Sequence, residues 1–257
     1  MDNIILETSE LHVSAIVQIS KLTTNINLYE LANNLCINDK ILYIEHGVEI
    51  TKGYNPKNKP KKKLKKSKKF FYNQVTIHIK CDKTINMKIF NNGRVQMTGI
   101  NNDKQGLESI NILLNEIHKL SEESKLSIFD SETIIKEGDI ETVLINSDFD
   151  IYHEVDRENL HRLIIERGYY SSYEPCTYPG VNIKYYHNPI HNNFGICDCE
   201  KPCNGKGKDN TCKKITIAVF KSGKIIITGG RSKENIQTAY KFITEFINEN
   251  KEQILLK

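Results

Sequence analysis

Apolar and polar residues alternate along several short stretches of the chain. Residues 75–79 read Val-Thr-Ile-His-Ile, and residues 181–186 read Val-Asn-Ile-Lys-Tyr-Tyr. An alternation with a period of two is typical of strands that are buried on one face. Further short apolar stretches predict strands over residues 11–19, 86–90, 94–98, 142–151, 214–220 and 224–228.

A helical period follows each group of strands. The helix predicted over residues 231–250 has an apolar stripe formed by Ile236, Ala239, Tyr240, Ile243, Phe246 and Ile247. Residues 28–35, 103–120 and 157–166 are predicted as the other helices. Each half of the chain therefore reads approximately β-α-β-β-β-α, an α+β arrangement. Its helices cover one face of an antiparallel sheet and leave the other face for a partner.

The two halves contain nearly the same short sequence. IFNNGRVQMTGI begins at Ile89 and VFKSGKIIITGG begins at Val219. Both have Phe at the second place, Gly at the fifth, a cation at the sixth and Thr-Gly at the tenth and eleventh. Gly93 and Gly223 suit a hairpin turn that needs a positive φ. The duplication predicts two homologous domains, one over residues 10–125 and one over residues 138–250.

Charge and hydropathy exclude several classes of protein. The 257 residues carry a formal net charge of +4, but the run KNKPKKKLKKSKK at 57–69 holds nine lysines, so the remainder carries about −5 (4 − 9). We interpret the run first as a solvated, disordered segment, with a phosphate-binding arm or a nuclear-type address as alternatives. No stretch approaches ~18 apolar residues, and the N-terminus is acidic. We therefore expect an intracellular protein without a signal peptide or membrane span.

The residues that would indicate an enzyme do not form a recognisable site. The SGK at 222–224 lies in a predicted hairpin and lacks the glycine and the following helix of a phosphate-binding loop. His153 and His161 lie near acidic residues, but helical spacing spreads them over a solvated face. We therefore predict that the protein is not an enzyme and has no small-molecule substrate.

A cysteine-rich insert occupies residues 187–213. Four of its cysteines fall within 16 residues, namely Cys197, Cys199, Cys203 and Cys212, with His187 and His191 nearby. Four thiolates can complete the tetrahedral coordination of a Zn²⁺ ion. A Gly- and Asn-rich loop without its own hydrophobic core would need such a crosslink to hold its structure. The spacing is not that of common zinc modules, so reduced thiols and disulfides stay open as alternatives. Cys36, Cys81 and Cys176 are scattered, and we predict structural roles for them.

Three stretches together resemble a known family. SSYEPCTYPG at 171–180, VFKSGKIIITGG at 219–230 and YNPK at 54–57 resemble the C-terminal core of the TATA-box-binding protein family. The resemblance extends from about Leu11 to Ile247 and is closer in the second half. It implies two pseudo-symmetric repeats that form a saddle. The saddle has a curved antiparallel sheet of about ten strands with helices on its convex face. The family lays the concave face on a widened minor groove and wedges phenylalanine pairs between base steps.

The resemblance also implies roles for individual residues on that face. The wedge positions are matched by Phe90, Phe220, Tyr178 and either Phe71 or Tyr72. The groove floor is matched by Ala218, Ile226 and Thr228 in the second repeat and by Lys88, Gln96 and Thr98 in the first. Lys88 and Gln96 stand where the family has aliphatic residues, which predicts altered or relaxed sequence preference.

Further matches concern the centre and the rim of the DNA site. The central asparagines of the family correspond to Ser14 and to Asn146 or Ser147. The phosphate contacts of the rim correspond to Arg94, Lys184, Lys224 and Arg231. Glu174 matches an acid that contacts transcription factor IIB in the family, while Cys176 replaces a second acid.

The resemblance therefore implies a general transcription factor that binds and bends AT-rich promoter DNA and nucleates transcription initiation. Its expected partners are a transcription factor IIB-like protein and the RNA polymerase machinery, and no cofactor is required. The rival interpretation is a protein-interaction platform that has lost specific TATA readout, favoured by Lys88, Gln96 and Cys176. A composition rich in Asn, Ile and Lys suggests a protist or a large DNA virus as the source. We accordingly expect the protein in a nucleus, or in a cytoplasmic viral factory or virion.

Overall fold

The structure is a computed structural model that describes residues 6–22, 25–55, 71–102, 104–124, 128, 139–188, 195–200, 203–207 and 211–256. The lysine run at 57–69 lies outside these ranges, as do residues 189–194, 201–202 and 208–210 of the cysteine insert. The strands are β1 (His12–Lys21), β2 (Ile41–His46), β3 (Ile50–Gly53), β4 (Gln74–Lys80), β5 (Thr84–Phe90), β6 (Arg94–Ile100), β7 (Glu141–Asp150), β8 (Tyr170–Glu174), β9 (Tyr178–His187), β10 (Lys213–Val219) and β11 (Lys224–Gly230). The helices are α1 (Leu28–Asn34), α2 (Gln105–Ser124), α3 (Arg157–Glu166), α4 (Lys233–Glu249) and α5 (Lys251–Ile254).

The chain divides into two compact units. The N-terminal unit is Ile16–Thr142, and the C-terminal unit combines Val143–Lys257 with Met1–Ala15. The first four residues of β1 therefore belong to the C-terminal unit. The repeat bounds predicted at 10–125 and 138–250 stay a prediction.

In the N-terminal unit the strands follow the order β3-β2-β4-β5-β6-β1, with antiparallel pairing between neighbours. Alternate side chains such as Ile77, Met87 and Met97 are fully buried, and α1 and α2 pack against these strands. The residues between them, including Lys88 and Gln96, are half-exposed. The predicted arrangement of helices on one face of an antiparallel sheet is confirmed in this unit.

The C-terminal unit repeats this plan with the strand order β7-β11-β10-β9-β8. The apolar stripe predicted for α4 is buried at Ile236, Ala239, Ile243 and Ile247. The helix begins after Ser232, whose hydroxyl accepts a hydrogen bond from the Asn235 amide at 3.2 Å. Such a cap satisfies a backbone donor that has no partner within the helix.

The duplicated turns have the backbone that the sequence predicts. Gly93 lies between β5 and β6 with φ at 78°, and Gly223 lies between β10 and β11 with φ at 86°. A β-carbon on Gly223 would lie 2.4 Å from the carbonyl oxygen of His153. Glycine therefore serves both the turn and a close backbone approach at this position.

Each unit contains strands that the sequence did not predict. Those in the N-terminal unit are β2 and β3, and the one in the C-terminal unit is β8. β2 reads ILYIEH, an apolar run without clean alternation, while β8 reads YSSYE and has little apolar character. β2 pairs with β4, and β8 pairs with β9. This pairing determines the two strands more than their local sequence pattern does. Among the described helices, none combines the length and apolar content needed to cross a bilayer.

Candidate nucleic-acid interface

Two aromatic rings pair on the helix-free strand face of the C-terminal unit. The ring centroids of Tyr178 and Phe220 are 5.7 Å apart, with their planes at 61°. Gly180 lies beneath both rings, and a β-carbon there would lie 2.9 Å from Tyr178 and 3.2 Å from Phe220. The absence of a side chain at Gly180 thus allows the pair to form. The two residues predicted as wedges of this repeat are brought together.

The floor beside the ring pair is largely apolar. Ala218 is in register with Ile226 across β10 and β11, and Thr216 is in register with Thr228. Ile226 and Thr228 are half-exposed, whereas Ala218 is 4% exposed because it is small and lies between larger neighbours such as Asn182. All three predicted floor positions lie on the face opposite the buried Ile217 and Ile227.

Asn146 and Ser147 are the two residues of this unit that the sequence analysis matched to a central asparagine. The side-chain oxygen of Asn146 accepts a hydrogen bond from the Thr228 hydroxyl, and its backbone oxygen accepts one from the Ser14 hydroxyl at 3.2 Å. Ser147 faces the core and donates to the backbone oxygen of Ile227 at 3.3 Å. Of the two residues that the sequence left open, Asn146 is therefore the one on the helix-free face. The Thr228 hydroxyl bonds to the amide oxygen, and the amide nitrogen is the hydrogen-bond donor of this side chain.

The N-terminal unit lacks an equivalent ring pair within the described residues. Val75 is in register with Ile89, as Val181 is with Val219, so Tyr72 is the positional counterpart of Tyr178. The Tyr72 ring lies 6.5 Å from His46 at 83° and closes over Gly47. Phe71 is 59% exposed. Strand register thus favours Tyr72 as the second wedge position, although its ring points to a different neighbour.

Polar side chains replace the apolar floor in the N-terminal unit. Gln74 is in register with Phe90 and stands where the C-terminal unit has Gly180. Lys88 pairs with Gln96 across β5 and β6, and both are half-exposed. Thr98 is also half-exposed, and its hydroxyl donates to the Asn86 backbone oxygen at 3.4 Å. The predicted residues lie together on one face, but that face carries a cation and two amides.

An acid that the sequence analysis missed lies on the C-terminal face. The carboxylate of Asp148 forms an ion pair with the ammonium group of Lys224, with Oδ2 and Nζ 2.8 Å apart. The other carboxylate oxygen lies 3.6 Å from Nδ1 of His12. The hydrogen bond from Lys224 lowers the pKa of Asp148 and, conversely, Asp148 raises the pKa of Lys224. Strand alternation places Asp148 on the same face as Asn146, which is the signal that would have found it. A predicted phosphate-binding lysine is thus paired with a carboxylate.

The other predicted rim cations differ in their surroundings. Arg94 is exposed at the start of β6. Lys184 is half-buried and donates to the Thr216 hydroxyl at 3.0 Å, and burial, followed by repulsion from Lys214, lowers its pKa. Arg231 is half-buried and lies near Lys213, whose pKa is lowered first by burial and then by Arg231. Lys184, Lys213, Lys214 and Arg231 therefore make one part of the C-terminal unit strongly basic.

The predicted partner loop lies at the end of β8. Glu174 is exposed, and its backbone oxygen accepts hydrogen bonds from the Thr177 amide at 3.0 Å and hydroxyl at 3.1 Å. Cys176 is exposed in the same turn. The turn therefore presents one carboxylate and one thiol to solvent.

The four cysteines of the insert converge, although parts of the insert lie outside the described residues. The sulfur atoms of Cys197, Cys199, Cys203 and Cys212 all lie within 4.8 Å of one another. His187 ends β9 and is not part of this group, and His191 lies outside the described residues. Cys36 and Cys176 are exposed, whereas burial, followed by repulsion from Glu108, raises the pKa of Cys81 to about 11. The insert thus contains a candidate metal centre.

Comparison with known proteins identifies relatives of the chain. A sequence model of the family described as "Transcription factor TFIID (or TATA-binding protein, TBP)" matches residues 145–250. The chain is 30% identical over 261 residues to the "TATA-box-binding protein-like" protein of Acanthamoeba polyphaga mimivirus, covering 95% of this chain and 66% of that one. It is 25% identical over 175 residues to the "TATA-box-binding protein" of Candida albicans, covering 68% of this chain and 57% of that one. The matches thus span less than two thirds of the length of these curated relatives.

A solved structure gives the same result for the fold. Methanococcus jannaschii TBP is similar with a TM-score of 0.53 at 19% identity, covering 94% of this chain and 99% of that one. The two α+β units therefore define a protein with the TBP fold, as the sequence predicted. With residues 145–250 matching the family model and 95% of the chain aligned with a viral TBP-like protein, the chain is a divergent TBP-like protein.

Proposed function

We propose that the chain binds AT-rich duplex DNA in the minor groove, bends it and nucleates transcription initiation. The observation that carries the proposal is the Tyr178–Phe220 ring pair beside an apolar strand face, in a TBP-like protein. The relevant surface of each unit is its helix-free strand face. The TBP family needs no cofactor and is not enzymatic, so we propose neither a reaction nor a cofactor for this function.

The chemistry of the minor groove suits such a surface. The groove separates A·T from G·C pairs only coarsely, so flat apolar surface and wedges are more useful there than rows of donors. Inserting Phe220 and Tyr178 at a base step would cost roughly a few kcal/mol of unstacking, which is offset by the larger surface that the bent duplex wraps. TA steps deform most easily, so a preference for AT-rich DNA arises from deformability.

Polar groups add positioning and a central contact. The amide nitrogen of Asn146 would donate to the acceptors on the groove floor. Arg94, Lys184 and Arg231 would contact phosphates on the rim, which fixes orientation without reading sequence. Lys224 would join them where a phosphate competes successfully with Asp148.

We further infer that the turn at Glu174 contacts a transcription factor IIB-like protein and thereby the polymerase machinery. Its exposed carboxylate supports this inference, and Cys176 in place of a second acid implies a contact of reduced charge. The protein would act where its template lies, in a nucleus or in a cytoplasmic viral factory.

A bending assay tests the DNA proposal. A TATA-containing duplex labelled at both ends is titrated with the full chain, and end-to-end energy transfer reports the bend. Changing Phe90 and Phe220 together to Ala should abolish the bend and weaken binding. Tyr29→Ala, which removes a 51% exposed ring from α1, is the matched control and should leave both unchanged. Unaltered bending by the double variant would exclude the wedge assignment.

The polar face of the N-terminal unit and Asp148 favour a second candidate function. A platform that binds proteins without reading TATA sequences would tolerate Lys88, Gln96 and a paired Lys224. Competition discriminates between the candidates. Binding to a TATA duplex that persists in excess GC-rich DNA supports the transcription factor function, whereas loss of preference together with DNA-independent capture of polymerase factors supports the platform.

A further inference from the structure

The four sulfur atoms of the insert have the spacing of a closed metal site. All lie within 4.8 Å of one another, and those of Cys199 and Cys212 are 3.4 Å apart. A regular tetrahedron built on zinc–sulfur bonds of about 2.3 Å has edges of about 3.8 Å. The observed separations thus bracket the size that one tetrahedral ion requires.

The cysteines are held by backbone pairing to two core strands. The Tyr186 amide of β9 donates to the Gly195 oxygen at 2.9 Å, which positions the segment that carries Cys197 and Cys199. The Gly207 amide donates to the Cys212 oxygen at 3.0 Å, and the Lys214 amide of β10 donates to the Gly205 oxygen at 2.9 Å. One ligand pair is thus attached beside β9 and the other beside β10.

A hydrogen bond also orients one of the ligands. The backbone amide of Gly205 donates to the Cys203 sulfur at 3.3 Å. Such outer contacts fix the direction of metal ligands and stabilise their charged form. Cys212 is fully buried, at 0% exposure, and the other three cysteines are half-buried. Thiolates that converge away from water gain from a cation at their centre.

We propose that Cys197, Cys199, Cys203 and Cys212 bind one structural Zn²⁺ ion that fixes the insert to β9 and β10. Four soft sulfur ligands in a closed shell select Zn²⁺ over Mg²⁺ or Ca²⁺, which take oxygen ligands, and leave no open position for catalysis. Binding transfers the four thiol protons to solvent and forms four Zn–S bonds, giving a site of net charge −2. Lys206 and Lys213 pair through a backbone bridge next to Cys212 in sequence, while Asp198 and Glu200 flank Cys197 and Cys199.

The site is independent of DNA binding and calls for its own test. The full chain is purified without chelators, and metals are quantified by mass spectrometry. We expect one zinc per chain in the wild-type protein and in the control Cys176→Ser, which removes an exposed thiol outside the cluster. The variants Cys199→Ser and Cys203→Ser should each contain clearly less than one zinc per chain. A wild-type chain without zinc whose cluster cysteines form disulfides would overturn the proposal, as would equal retention by all variants or iron in place of zinc.

Cobalt substitution keeps the test valid if the cysteine variants do not fold. Metal-stripped wild-type chain is titrated with Co²⁺ alone. Intense visible bands of tetrahedral cobalt with sulfur charge-transfer absorption, saturating at one equivalent, are expected. The pale spectrum of octahedral cobalt would contradict the four-thiolate site.

Discussion

The two units share one architecture and differ in what their helix-free faces present. In the C-terminal unit, Gly180 lets Tyr178 and Phe220 pair above an apolar floor. In the N-terminal unit, Gln74 stands at the corresponding position beside Phe90, and Tyr72 turns to His46. The duplicated hairpins thus preserve a backbone while the surface chemistry has diverged.

Under the proposed function, this difference predicts a division of labour between the units in binding DNA. A preformed ring pair loses little conformational freedom when it inserts into a base step, so the C-terminal unit is the better prepared wedge. The N-terminal face, with Lys88 and Gln96, offers charge and hydrogen bonds instead. We therefore expect DNA kinking to depend more on the C-terminal unit, and polar contacts with the groove floor to depend more on the N-terminal one.

The largest expected effect concerns the two hairpin glycines. Gly223→Ala should lower the free energy of unfolding by about 2–5 kcal/mol, because a left-handed backbone cost adds to overpacking against the His153 oxygen. Gly93→Ala should cost about 1–2 kcal/mol, chiefly the backbone cost. Urea unfolding of the full chain measures both, and equal losses would show that the close approach at Gly223 is immaterial.

Single wedge substitutions come next in size. Phe220→Ala should weaken binding to a TATA duplex by about 1–3 kcal/mol, the usual value of one ring stacked on a base. Phe90→Ala should cost less, since Phe90 has no ring partner in the part of the chain that the structure describes. Titration by fluorescence anisotropy at fixed salt gives the two affinities. A larger loss for Phe90 would reverse the proposed division of labour.

Exchanging the residues beneath the rings sharpens the same comparison. Gly180→Gln should separate Tyr178 from Phe220 and lower DNA affinity by about 0.5–1.5 kcal/mol, the value of an aromatic pair. Gln74→Gly removes the side chain beside Phe90 and should leave affinity unchanged or raise it. The bending assay reports both variants, and improved bending by Gly180→Gln would refute the role assigned to the pair.

The smallest effect concerns Asp148. Asp148→Asn should release Lys224 for a phosphate, raising affinity by no more than about fivefold and steepening the salt dependence by about one unit. His12 and Asp150 are the other titratable groups near the pair. Salt titration of both proteins on one duplex is the measurement, and an unchanged slope would argue against a phosphate contact by Lys224.

The same variant gives a pH dependence with a definite sign. Because Lys224 lowers the pKa of Asp148 in the folded protein, the pair contributes stability above the ordinary pKa of an aspartate and loses it as pH falls through the lowered value. The stability difference between wild type and Asp148→Asn should therefore shrink on acidification below about pH 4. A difference that grows at acid pH would contradict this assignment.

The sequence predicted most of the fold because alternation and duplication are local signals. The bounds of α3 were predicted as observed, and those of α4 within a few residues, since caps and apolar stripes are encoded nearby. β8 was missed because its pairing with β9, and not its own residues YSSYE, makes it a strand. Non-local pairing of this kind is invisible to a single-sequence pattern.

The residues assigned to the candidate site stay a prediction, whereas the contacts that they make could be described only from the structure. The duplicated motif identified Phe90 and Phe220, but the register of β4 was needed to favour Tyr72 over Phe71. The ion pair between Lys224 and Asp148 joins residues 76 positions apart (224 − 148). No sequence pattern predicts which charged residues pair over such a separation. The convergence of four thiols likewise depends on how β9 and β10 hold the insert.

The C-terminal unit is built from two separate segments of chain, and this affects how it is made. The Asp150 amide donates to the Ser9 hydroxyl at 2.9 Å across 141 residues of sequence. During translation the early segment leaves the ribosome long before the strands that it joins have been synthesised. Closing so distant a contact is slow, so we expect the early segment to stay unpaired at least until residue 150 has been synthesised.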